Sequence, residues 1–205
     1  RTAIYYEMNR ILAALHQVDL EKSGLSDFGK PGSYFERQYK RWSSQYRATE
    51  LRPIEAMETL MQWLGENLPE DDGRVSLVHG DYRLDNLMFG SALGGAPVSA
   101  VDWQTLSIAA GGRDLGYLLG NSADPDDRRR HESEALERYR SAMAALGVDL
   151  TASEVHAQYV HGTFQGPMVT MLGSIAVGQT DRGDDMFMAM AERSAAQILD
   201  LDALD

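Results

Sequence analysis

Three oxygen-bearing side chains stand at the ends of short apolar runs in one stretch of this chain. Leu77-Val78 leads into His79-Gly80-Asp81, four residues intervene before Asn86, and a second run, Leu87 to Phe89, follows. A third run, Val98 to Val101, ends in Asp102, sixteen residues after Asn86. Two carboxylates and an amide so placed suit transfer of a phosphoryl group. That reaction needs a carboxylate to orient the attacking hydroxyl and accept its proton, and hard oxygen ligands for the magnesium that neutralises the phosphates. On this reading Asp81 takes the first role, and Asn86 and Asp102 hold the metal. A plainer reading stays open: His-x-Asp is a common turn, with Asp and Asn serving only its geometry.

The elements that must position these groups are legible around them. Short apolar runs bounded by Gly, Asp and Asn predict strands, and the second and third, joined across Gly90 to Pro97, predict a hairpin. Strand ends that open into loops are common mounts for reactive groups. His79-Gly80-Asp81-x-x-x-x-Asn86, followed by a strand-end Asp, also reproduces the spacing by which protein kinases place the same groups.

More of the chain points the same way. VHGDYRLDNLMF and AVDW, followed by GGRDLGYLL, resemble the motifs of the aminoglycoside phosphotransferase family of kinase-like enzymes: HGDxxxxN, an IDW-type strand end and a DLA-type helix start. The upstream LHQVDLEKSGLSDFGKPGSYFERQYKRWSSQY and MQWLGENLP resemble the subgroup that includes kinase-like domains attached to some acyl-CoA dehydrogenases. The resemblance runs to about residue 120 and then thins into unspecific helices. It implies a mainly α chain with a small β hairpin, an α+β arrangement corresponding to the C-terminal lobe of a protein-kinase-like fold. It implies ATP and Mg2+ as cofactors, held at Asn86 and Asp102, and γ-phosphoryl transfer to a hydroxyl of a small molecule. Aminoglycosides, hydroxylated acyl compounds and other alcohols all remain open as that substrate. His79 would brace the loop by hydrogen bonding rather than shuttle the proton, and Asp114 would support it from the helix that follows. Asp114 also has a local reading as the N-cap of a helix from Leu115 to Leu119. Arg83 stays open between a phosphate or substrate contact and a solvated loop arginine, and Asp85 between a turn cap and the mouth of the site.

Such enzymes begin with a smaller lobe that carries a glycine-rich loop and a lysine on a strand. This chain opens at Arg1 in a helical pattern, with no such combination before Leu15. Residues 1–205 are therefore expected to be one C-terminal lobe, with the nucleotide lobe absent from the chain, which alone is expected to be inactive.

Composition bounds the alternatives. A formal charge of −12 argues against nonspecific nucleic-acid binding, which calls for clustered Lys and Arg. The same charge would draw in cationic substrates, although a solvated acidic surface is the plainer account. There are no cysteines, so disulfides and thiolate chemistry are excluded, which is compatible with the cytosol. No stretch approaches the roughly twenty apolar residues of a membrane span. Two rival functions remain: a pseudokinase-like binding or scaffolding module without turnover, and a metal-dependent hydrolase using His79, Asp81 and Asp102. The latter lacks a complete ligand set, and oligomeric state is not legible.

Around the motif the pattern predicts helices. Ile4, Met8, Ile11, Leu12 and Leu15 form one face ending near His16, read as a histidine on its helix's last carbonyls. Residues 17 to 33 read as a loop. Phe35, Tyr39, Trp42 and Tyr46 make a stripe suited to packing on the next helix. That helix has Pro53 in its first turn, Ile54, Met57, Leu60, Met61 and Leu64 as buried face, and Leu68-Pro69 as its close. Glu70 to Gly73 reads as a solvated turn, Trp103 to Arg113 as a loop, and Asn121 to Asp127 as a polar turn. Arg128-Arg129-Arg130 reads as a solvated helix start, with Leu136, Tyr139, Met143 and Leu146 behind it and Gly147 as the stop. Thr151-x-x-Glu154 signals a capping box, and Gly166-Pro167 a break before an apolar segment reaching Ile175 and Val177. Asp181 to Asp185 reads as a turn before a last helix with Met186, Phe187, Met190 and Ile198. His156 and His161 lie five apart, off the spacing for a shared metal, and read as structural.

Overall fold

The computed structural model describes residues 2–29, 33–49, 52–53, 55–68, 74–91, 94–176, 178 and 180–204. In chain order it runs α1 (Thr2–His16), α2 (Tyr34–Thr49), α3 (Glu55–Glu66), β1 (Ser76–Val78), β2 (Leu87–Ser91), β3 (Gly94–Ala100), β4 (Ser107–Ala109), α4 (Gly112–Ser122), α5 (Pro125–Ala145), α6 (Ala152–Gly162), α7 (Gln165–Ala176) and α8 (Asp181–Asp200). The architecture is α+β: the helices are accompanied by two small antiparallel ribbons, β1 with β4 and β2 with β3. No described helix is long and apolar enough to cross a membrane.

The core lies among α1, α4, α5 and α6. Met8 and Leu12 of α1 fall four apart and meet Leu115, Leu118, Ala135, Tyr139, Val155 and Tyr159, all buried. Truncating one such residue, Leu118 for example, costs about 2–5 kcal/mol through lost transfer energy and the cavity left behind. Two helices approach unusually closely here. A Cβ on Gly116 of α4 would stand 2.5 Å from the Gly162 carbonyl carbon of α6, so only glycine lets the backbones meet.

The hairpin pairs its apolar runs as predicted, with Leu87 opposite Ala100 and Phe89 opposite Val98. Much of the Gly90–Pro97 connection is strand, however: β2 runs to Ser91 and β3 starts at Gly94, past a register irregularity between Phe89 and Ser91. The segment read as a loop after Trp103 contains a strand instead. Ser107-Ile108-Ala109 pairs with β1, Leu77 opposite Ile108. Three residues carry too little periodicity to announce a strand; a partner about thirty positions away supplies the ladder.

Other boundaries move for local reasons. The polar turn at 121–127 shrinks, because α4 continues through Ser122 and Asp124 caps α5, its side chain accepting from the Asp126 N–H with Pro125 in the first turn. Asp181 to Asp185 is helical, the first turn of α8 capped by Thr180, where acidic side chains complement the helix dipole. Gly166-Pro167 lies inside the first turn of α7, which tolerates proline; the break is at 163–164. Gly147 closes α5 with φ +90, and the Thr151–Glu154 capping box is present in both directions.

Arg128 is not solvated. It is 2 % exposed and ion-paired to Glu132 and Asp200, while Arg129 reaches Asp200 at 2.7 Å, so the basic run ties α5 to the end of α8. Leu146, placed on the buried face of α5, is half exposed at its C-terminus. Met61 of α3 is buried but Leu60 and Leu64 are exposed, because α3 packs chiefly on α2 and its far side faces solvent. Pro53 precedes α3, and Ile54, Pro69, Glu70 to Gly73 and Val177 lie outside the described residues. The aromatic stripe of α2 is half-buried, with Tyr39 against Gly65 of α3 and the Phe35 ring 5.9 Å from that of His161. His156 and His161 are both exposed.

Candidate active site

The turn after β1 is held at every backbone polar group of His79 and Gly80. The His79 N–H donates to Asp114 Oδ2 at 2.6 Å and the Gly80 N–H to Asp114 Oδ1 at 2.7 Å. Their carbonyls accept from the Thr105 hydroxyl and from Gln165 Nε2, each at 2.8 Å. Arg113 Nε in turn donates to Gln165 Oε1 at 2.9 Å, which fixes the amide's orientation. Gly80 has φ +83, and a Cβ there would stand 2.5 Å from the Thr105 carbonyl oxygen. The position admits only glycine.

Asp114 differs from its local reading. The helix begins at Gly112, with Gly111 as the flanking residue, so Asp114 lies within the first turn. Its wholly buried carboxylate turns onto the 79–80 amides, giving two charge-assisted hydrogen bonds in a dry site. Beneath it sits His16, whose Nε2 is 3.4 Å from Asp114 Oδ2 and whose Nδ1 is 2.7 Å from the Tyr139 hydroxyl. His16 therefore does not finish its own helix; it joins α1 and α5 to Asp114. Both partners are about a hundred or more positions away, which no local pattern reveals.

His79 is fully buried, with Nε2 2.9 Å from the Val101 carbonyl oxygen. A carbonyl only accepts, so this contact fixes the hydrogen on Nε2 and leaves Nδ1 facing the Asp81 N–H at 3.4 Å. The ring packs on Trp103, centroids 4.6 Å apart.

Asp81 is 8 % exposed, and each carboxylate oxygen has a donor. Oδ2 accepts from Asn86 Nδ2 at 2.8 Å and Oδ1 from the Tyr117 hydroxyl at 2.6 Å. Burial first, then the Asp81 charge, push the Tyr117 phenol well above its ordinary pKa, so it stays a donor. Arg83 Nε lies 3.5 Å from Asp81 Oδ1, an ion pair too long to be a hydrogen bond. Its Nη1 rests on the Met190 and Met186 sulfurs at 3.2 and 3.7 Å, so Arg83 is tucked under α8 rather than solvated. Asp85 is exposed in the 3-10 turn Leu84–Asn86.

Asn86 Nδ2 also donates to the Asp81 carbonyl at 2.8 Å. Both partners are acceptors, which orients the amide and turns Oδ1 the other way. The Val101 N–H donates to the Asn86 carbonyl at 2.9 Å, so Val101 is tied to both Asn86 and His79. Asp102 follows directly, exposed and left-handed at φ 66. The hairpin thus sets Asn86 and Val101, with Asp102 next in the chain, against the 79–86 turn, and Asn86 reaches Asp81 directly.

An Asn86 amide oxygen and an Asp102 carboxylate are hard donors that fit Mg2+, which keeps waters and shares ligands with phosphates. No group of three or more His, Cys, Asp or Glu among the described residues could hold an ion on protein ligands alone. Tyr117, Gln165 and Thr105 were not visible as site residues in the sequence. A tyrosine three positions after Asp114 on a helix reads as core.

The sequence matches the phosphotransferase enzyme family over residues 1–148. It is 47% identical over 118 residues to acyl-CoA dehydrogenase family member 10 of Mus musculus, covering 57% of this chain and 11% of that protein. Acyl-CoA dehydrogenase family member 11 of Homo sapiens is 35% identical over 118 residues, with 58% of this chain and 15% of that protein covered. Probable acyl-CoA dehydrogenase IBR3 of Arabidopsis thaliana is 37% identical over 145 residues, 67% of this chain and 18% of that protein. The chain spans between 11% and 18% of the length of these curated relatives. No solved structure matches it.

Proposed function

The chain belongs to the phosphotransferase enzyme family, and from that premise we propose that it is the C-terminal lobe of a kinase-like enzyme. That enzyme moves the γ-phosphoryl group of ATP to a hydroxyl of a small molecule. The observation that carries the reading is the Asp81 carboxylate, almost wholly buried and held on both oxygens, by Asn86 and by Tyr117. Asp81 orients the acceptor hydroxyl and takes its proton as the new O–P bond forms and ADP leaves. Asn86 and Asp102 would hold magnesium, which would neutralise charge on the phosphates. His79 and Asp114 keep the loop in register, so the site acts by positioning and by charge arranged in advance.

The test uses the natural full-length protein. ATP binding is measured by calorimetry with and without magnesium, then transfer to a panel of aminoglycosides, hydroxylated acyl compounds and other alcohols. Magnesium-dependent binding lost in Asp102→Ala supports the metal assignment. Asp81→Ala should still bind nucleotide while transfer falls by about 10²–10⁴-fold, the usual worth of a positioned base. Undiminished transfer in that variant overturns the reading, and nucleotide binding without turnover on any acceptor identifies a binding module instead.

A further inference from the structure

We propose that Tyr117 is a positioning residue for Asp81, its hydroxyl holding Oδ1 while Asn86 holds Oδ2, so that the carboxylate plane stays fixed toward the acceptor. The inference rests on the reading of Asp81 as the base. Tyr117 is fully buried in α4, and its hydroxyl lies 2.6 Å from Asp81 Oδ1. Asn86 Nδ2 holds Oδ2 at 2.8 Å from the opposite side of the carboxylate. Two donors on two elements fix the carboxylate plane, which one donor leaves free to rotate. Arg83 does not substitute for the phenol, because its Nε stops 3.5 Å from the same oxygen.

The placement follows from α4. Asp114 and Tyr117 are three residues apart on that helix and so share a face. Asp114 holds the backbone of His79 and Gly80, and Tyr117 holds the side chain of Asp81. One rigid face sets both the height of the loop and the angle of its carboxylate. A residue wanted only for packing needs no hydroxyl, and phenylalanine would fill the same volume without burying a polar atom.

The experiment compares the full-length protein with Tyr117→Phe, Asp81→Asn and the double variant. The probe is Mg-ATP with water as acceptor, followed as phosphate release. Tyr117→Phe should lower kcat by roughly tenfold or more, as loss of a charge-assisted hydrogen bond at a reacting group does. KM for ATP should hold, and the melting temperature should fall by no more than a few degrees, the cost of one buried hydrogen bond. In the Asp81→Asn background the same change should add less than about twofold, since two groups acting through one another are non-additive. An unchanged kcat in Tyr117→Phe, with Asp81→Asn reduced to a residual rate about 10²–10⁴-fold lower, overturns the inference and leaves the assignment of Asp81 standing. An Asp81→Asn variant with undiminished kcat overturns the assignment itself. If the phenylalanine chain does not fold, 3-fluorotyrosine at 117 keeps the shape and alters only donor strength. Its kcat should then shift at constant KM, and an unmoved kcat overturns the inference.

Discussion

At the scale of single residues, the site is made of positions that admit few alternatives. Gly80 is left-handed and pressed against the Thr105 carbonyl, so Gly80→Ala must shift the turn that carries Asp81. The cost should be about 1–3 kcal/mol, read as a lower midpoint in urea, with phosphoryl transfer falling by more than the fraction unfolded explains. Equal midpoints would show that the turn relaxes freely. Asn86 offers a second test. Its amide gives both donors to Asp81, so Asn86→Asp sets a carboxylate against a carboxylate. That variant should lose magnesium-dependent nucleotide binding, although its charge alone would favour a cation. Tighter magnesium binding in calorimetry would contradict this geometry.

At the scale of elements, α4 is the frame on which the loop hangs. Asp114→Ala leaves two buried N–H groups, those of His79 and Gly80, without acceptors, and each such group costs about 1–3 kcal/mol. Thermal unfolding should come several degrees lower, and activity should not return on adding magnesium. An unchanged melt would remove Asp114 from the support of the loop. A different contact sets how α5 and α8 respond to acid. The Arg129 hydrogen bond, joined by the Arg128 charge, holds the Asp200 carboxyl below its usual range. A lowered folded-state pKa stabilises the fold above the unfolded value of about 4 and loses that contribution as pH falls through the folded one. Asp200→Asn should therefore melt lower than the parent at neutral pH, by an amount that shrinks with salt because Asp200 is partly solvated. The two curves should converge in acid; a gap that widens there would contradict the assignment.

At the scale of the molecule, stability is uneven. Helices α1, α4, α5 and α6 share one buried core, whereas α2 packs chiefly on α3 and leaves Leu60, Trp63 and Leu64 exposed. Hydrogen exchange should open the amides of α2 and α3 well before those of α4 and α6, since regions with little buried apolar surface open at lower free energy. Uniform protection across the chain would show instead that the α2–α3 pair unfolds with the core. The 79–81 amides, held by Asp114, belong with the slow set.

The sequence by itself determined the motif residues, the hairpin between Leu87 and Ala100, most helices and the family, because these depend on spacing within a few turns or strands. Asp81, Asn86 and Asp102 could be named from type and interval, and His79 and Asp114 from the family resemblance. Only the tertiary structure decided which groups touch them. The His16–Asp114–Tyr139 contact, the β1–β4 pairing, the burial of Arg128 and the Tyr117 hydroxyl on Asp81 join positions tens of residues or more apart. Local periodicity reports which face of an element is apolar. It carries no record of the element that will cover that face, and a buried polar atom finds its partner only when the chain has closed around it.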